Sequence, residues 1–132
     1  MVSADEPRAD ARVLVGLMSG TSCDGVDAVC VELTGDVQAG RRVSREPLRA
    51  RILSHHARPF EPALRDRLLA VAEAAAREVA AEERGDERSV ASPVGPLGLA
   101  RLHAELGARF GDAASVASRM AGKAPADVRA VC

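Results

Sequence analysis

Tryptophan and tyrosine are absent from this 132-residue chain, and phenylalanine occurs only at Phe60 and Phe110. That scarcity argues against a base-stacking platform for single-stranded nucleic acid. Charge gives no support for nucleic acid either. The 18 basic and 19 acidic residues nearly cancel, and every basic residue except Lys123 is arginine, so no basic footprint is expected. Cysteine is scarce as well. Cys23, Cys30 and Cys132 fit no zinc spacing, and an odd count argues against a disulfide framework. Cys30 lies inside an apolar run and reads as a small buried hydrophobe. No apolar stretch reaches membrane-spanning length. The polar, acidic start from Met1 to Arg12 is no signal peptide. These absences predict a cytoplasmic protein with no nucleic-acid or membrane partner. The length suits about one domain with a modest core.

What is present centres on Val13 to Asp27, Val-Leu-Val-Gly-Leu-Met-Ser-Gly-Thr-Ser-Cys-Asp-Gly-Val-Asp. An apolar run over 12–18 predicts a strand buried on both faces. A valine-rich run over 26–34 predicts a second, central strand. Between them lie Ser19, Gly20, Thr21, Ser22, Cys23, Asp24 and Gly25. Glycine permits positive φ and the close approach of a ligand. Exposed amides in such a turn form an anion-binding concavity. Hydroxyls add donors, and Asp24 can hold a cation. An Asp-Gly pair between β-rich runs is also an ordinary hairpin signal. The turn is not a Walker loop, because no Lys follows and a strand, not a helix, flanks it. The same flank rules out a dinucleotide fingerprint. Asp27, at the mouth of the second strand, suits either a cap on the turn amides or a magnesium site.

The string Gly16-Leu-Met-Ser-Gly-Thr-Ser-Cys-Asp-Gly-Val-Asp27 closely resembles the N-terminal signature of the anhydro-N-acetylmuramic acid kinases. That signature reads Gly-(Leu/Val)-Met-Ser-Gly-Thr-Ser-Leu-Asp-Gly-(Val/Ile)-Asp. Only Cys23 departs, standing where the family has Leu; it is expected to pack passively. The resemblance implies an α/β fold, the N-terminal part of an actin-like ATPase or ribonuclease H-like domain. It implies ATP and Mg2+ as cofactors, with Ser19, Gly20, Thr21, Ser22, Cys23, Asp24, Gly25, Val26 and Asp27 at the ATP phosphates and Asp24 as a magnesium ligand. It implies phosphorylation of 1,6-anhydro-N-acetylmuramic acid with opening of the anhydro ring, a step of peptidoglycan recycling. A homodimer of the full-length enzyme is compatible with it.

The remaining chain fits that frame. Residues 1–11 are expected to be a disordered leader, and residues 12–132 an incomplete ATPase-like lobe with its phosphate hairpin at 13–33. Residues 35–47 are turn-rich, with Arg41, Arg42 and Arg45 facing solvent. Arg/apolar alternation predicts a third strand over 48–57 with one wet face, completing an antiparallel meander. His55 and His56 are adjacent, so they point to opposite faces of a strand. No acid or thiol at ligand spacing supports a metal there. One is expected at the surface and the other partly packed.

Pro62 suits a first helical turn. A helix follows over 63–83, with a stripe of Leu64, Leu68, Val71, Ala75 and Val79, and Gly85 as its C-cap. Residues 85–98 form a loop. A second helix runs from about Leu97 or Gly98 to Met120, with Leu99, Leu102, Leu106, Phe110, Ala113, Ala117 and Met120 inward. Its segment Leu102 to Phe110 resembles the family's corresponding helix, where a Leu-Gly-x-x-Phe pattern recurs. Gly107 in mid-helix costs about 1 kcal/mol against Ala and predicts close packing there. His103 and Glu105 have no evident partner and default to the surface.

A further strand begins near Asp127. In the family this strand leads to a His-Gly-Gln-Thr motif and then to an aspartate that activates water. No catalytic residue of this chain matches that aspartate. The expectation is therefore an N-terminal kinase fragment, inactive alone. The alternative is a stand-alone nucleotide- or phosphate-binding or interaction module derived from a sugar kinase. The Met-Ser-Gly-Thr-Ser string argues against a different sugar kinase.

Overall fold

The computed structural model describes residues 11–35, 48–85 and 94–132. The leader, nearly all of the 35–47 connection with Arg41, Arg42 and Arg45, and most of the 85–98 loop lie outside the described residues. The elements, in order, are β1 (Arg12–Met18), β2 (Gly25–Thr34), β3 (Arg49–Pro59), α1 (Pro62–Glu83), α2 (Pro96–Met120), a 3-10 turn (Pro125–Asp127) and β4 (Val128–Val131). The sheet order is β3-β2-β1-β4. The first three strands form the expected antiparallel meander. β4 lies parallel to β1, reached by the helical crossover that parallel neighbours require. The mixed α/β class matches the expectation.

β1 and β2 each alternate, and the alternation decides the core. Val13 and Val15 of β1 point to the same side as Val26, Ala28 and Cys30 of β2. That side meets Leu64 of α1, Leu102, Ala113, Ala114 and Ala117 of α2, and Phe60. Burial pushes the Cys30 thiol above its usual range, with the charge of Lys123 acting the other way. Three alanines on α2 carry no bulk beyond a methyl, so that helix lies directly on the strands. The opposite side differs from the expectation of strands buried on both faces. Leu14, Val29, Val31 and Leu33 are only half-buried there, and Met18 and Ile52 are 68% and 69% exposed. Among the described residues both helices pack on one side of the sheet, which is the physical reason.

β3 holds an irregularity with consequences for the site. Val31 pairs with Ile52, but Cys30 pairs with Ser54. Leu53 is thus an extra residue, a β-bulge that shifts which side chains share a face. Leu53 packs against the core. The Ser54 hydroxyl donates to the Ala117 carbonyl of α2 at 2.6 Å. The single wet face expected of β3 is not seen in its first half, because Arg49, Ala50, Arg51 and Ile52 are all exposed on this edge strand.

The helices start and stop on the expected signals. Pro62 stands in the first turn of α1, and Gly85 takes φ +69 just past its end. Leu64 is buried, and Leu68 and Val71 pack against the core. The stripe then continues through Ala74 and Ala81, not through Ala75 and Val79; Val79 is 57% exposed. After Val71 the helical period is met by a step of three instead of four. On α2, Leu99 and Met120 near the two ends are exposed; at the C-terminal end the packed stripe runs through Ala113, Ala117 and Ala121 in steps of four, which turns Met120 outward. Gly107 is exposed with nothing near it, so the close packing expected there is absent, and nothing in the structure explains that glycine. Glu105 has a partner after all, Arg67 of α1 at 2.6 Å. Arg109 likewise reaches Glu61 at 3.1 Å. Such pairs, partly open to solvent, contribute at most about 1 kcal/mol each; they orient α1 on α2 more than they stabilise it.

Candidate functional site

The β1–β2 turn stands at the end of the sheet. Ser19, Gly20, Thr21, Ser22 and Asp24 are exposed, and Cys23 and Gly25 are half-buried. The Cys23 amide donates to the Gly20 carbonyl at 3.0 Å, closing a tight reverse turn. The left-handed conformation falls on Cys23 (φ 49), not on either glycine of the turn. That conformation is uncommon for a residue bearing a Cβ. The amides of Ser19, Gly20, Thr21, Ser22 and Asp24 have no hydrogen-bond partner among the described residues. Consecutive exposed amides of this kind suit a ligand rich in acceptor oxygens.

Gly25 is required by its surroundings. A Cβ there would stand 2.5 Å from the Arg58 carbonyl oxygen and 2.9 Å from the Pro59 Cα. Backbone atoms cannot yield as a flexible side chain would. Next to it, the Phe60 amide donates to the Asp24 carbonyl at 2.9 Å. The turn is therefore fixed on one flank to the junction between β3 and α1. Phe60 is itself part of the core, so the clamp is anchored at depth.

Val26 and Asp27 diverge. The Val26 side chain is 1% exposed and belongs to the core, which leaves only its backbone near the turn. Asp27 points to the other face, and its side chain is 59% exposed. Its carboxylate does not cap the turn amides. Instead Oδ1 meets His55 Nε2 of β3 at 2.9 Å. His55 is exposed and His56 half-buried, as adjacency on a strand predicts. His55 is the residue that sequence reasoning missed. Its partner lies 28 positions earlier in the chain, and only the β2–β3 register brings the two together.

Magnesium is commonly held by one or two carboxylates together with substrate phosphates, not by an all-protein cage. The described residues contain no cluster of three or more metal-ligating side chains. Asp24 in the turn and Asp27 at the start of β2 are exposed carboxylates, oxygen donors of the type that sparser arrangement uses. No helix of the described residues is long and apolar enough to cross a membrane.

Comparison with known proteins points to one family. The model of the anhydro-N-acetylmuramic acid kinases matches residues 12–93. The anhydro-N-acetylmuramic acid kinase of Bordetella pertussis is 35% identical over 120 residues, covering 91% of this chain and 24% of that protein. Its counterpart in Parasynechococcus marenigrum is 42% identical over 67 residues, covering 51% of this chain and 16% of that protein. The Trichormus variabilis kinase is 38% identical over 71 residues, with 54% and 16% covered. The chain thus spans a quarter or less of the length of these relatives. No solved structure matches it. The matched region carries the turn, the meander, the Gly25 contact and all of α1, and it places this chain in the anhydro-N-acetylmuramic acid kinase family.

Proposed function

We propose that the β1–β2 turn is the ATP-phosphate grip of an anhydro-N-acetylmuramic acid kinase. The observation that carries this reading is the exposed turn whose amides are left unpaired while its flank is clamped. In the reaction, 1,6-anhydro-N-acetylmuramic acid is phosphorylated as water opens the anhydro ring, giving N-acetylmuramic acid 6-phosphate for peptidoglycan recycling. Phosphoryl transfer is chiefly a matter of positioning and charge stabilisation, and the turn serves the positioning. The amides of Gly20, Thr21 and Ser22 donate to phosphate oxygens. The hydroxyls of Ser19, Thr21 and Ser22 add donors, Gly25 keeps the turn seated against β3, and Asp24 and Asp27 supply negative charge for the metal. Bound magnesium offsets phosphate charge and fixes the nucleotide's orientation. The base that activates water has no counterpart here, so this chain alone turns over no sugar.

Titrating the chain with Mg-ATP while following backbone amide resonances tests the reading. Shifts confined to Ser19 through Asp27, saturating at millimolar nucleotide, are expected. Unmoved resonances there at that concentration would end it.

A further inference from the structure

The bulge at Leu53 decides which histidine shares a face with Asp27. Beyond it, towards the turn, Ala28 pairs with His56, Asp27 with Ala57, and Val29 with His55. Had the earlier register continued, from Val31 opposite Ile52, His56 would stand directly across from Asp27 and His55 would point to the core side. Bulges are a known means of re-aiming a side chain beside a functional site. Here the residue directly opposite Asp27 is a small alanine. His55 stands diagonally, beside Val29, on the side of Asp27 away from the turn. It engages one oxygen, Oδ1, at 2.9 Å, and the other has no protein partner among the described residues. The carboxylate is thus held through Oδ1 by a residue of the Val29–His55 pair, and its other oxygen is left for a ligand to take up.

We propose that His55 is a positioning residue for Asp27. It fixes the carboxylate so that the unpaired oxygen serves the divalent cation that accompanies phosphates in the turn. The inference rests on the phosphate reading of the turn and adds a residue to it. The chemistry asks only for a donor: Nε2–H of a neutral ring or of an imidazolium serves equally. Residues behind a metal-binding carboxylate restrict its orientation, and losing one typically weakens metal affinity about 10–100-fold. The pair is 55% and 59% exposed, so solvent substitutes in part, and about threefold to tenfold is the expected loss for His55→Ala.

The test titrates the wild-type chain, His55→Ala and His55→Gln with Mg-ATP, and each again with ATP in excess EDTA, reading the amides of Ser19 to Asp27. Expected are weaker Mg-ATP binding by His55→Ala and unchanged binding of metal-free ATP. His55→Gln, which keeps an N–H donor, should stay within about twofold of wild type. Equal Mg-ATP affinity in wild type and His55→Ala overturns the inference and leaves the phosphate reading intact. Equal losses with and without magnesium overturn it too, because they mark a general disturbance of the turn. A glutamine variant as weak as the alanine one removes the hydrogen bond as the cause. No binding by the wild type defeats the phosphate reading and this inference together.

Discussion

The two faces of the sheet use the same residue types to different ends. On the helix side, Val15, Ala28 and Cys30 are fully buried. On the other side, Val29 and Val31, from the same strand and of the same character, are half-buried. Alternating apolar residues therefore do not dictate two covered faces; the placement of the helices does. The closed face fixes the shape of the strands. The open face carries the exposed pair Asp27 and His55, the residues proposed above to serve a ligand. One side holds the geometry, and the other presents it.

Three substitutions sharpen that contrast. Leu64→Ala removes the largest fully buried side chain on the closed face and should cost about 2–5 kcal/mol, read as a shift in the denaturant midpoint at constant slope. Ser54→Ala breaks the link from β3 to the Ala117 carbonyl. That carbonyl keeps the amide of Ala121 as a donor, so a loss of about 0.5–1.5 kcal/mol is expected from the same measurement. Ile52→Thr lies on the open face at 69% exposure and should change stability by no more than about 0.5 kcal/mol. If Ile52→Thr cost as much as Leu64→Ala, the two faces would not differ as described.

Much of the fold was legible in the chain. The apolar run of β1, the valine-rich β2 and the proline and glycine stops of α1 act locally, and local signals survive without knowledge of the partner. Register does not. The extra residue at Leu53 leaves no mark in composition, yet it settles the neighbours of Asp27. The clamp from Phe60 to Asp24 joins residues far apart in sequence and was invisible for the same reason. The α1 stripe failed at Ala75 and Val79 because both a three-residue and a four-residue step satisfy a helix, and only the packed neighbour chooses between them. In the sequence Gly25 reads as a turn glycine free to bend. The structure gives it another reason: the backbone of β3 lies too close for any side chain.

The bond between the Phe60 amide and the Asp24 carbonyl has a reach beyond its own strength. Phe60 is 7% exposed and sits among the core residues. Whatever tugs on the loop therefore tugs on the molecule's interior, with no slack segment between them. Occupancy at the surface and firmness at the centre become two views of one equilibrium, since a ligand that prefers the folded chain stabilises it by mass action. On the phosphate reading proposed above, a slackened interior would loosen the turn's hold without touching a single contact residue.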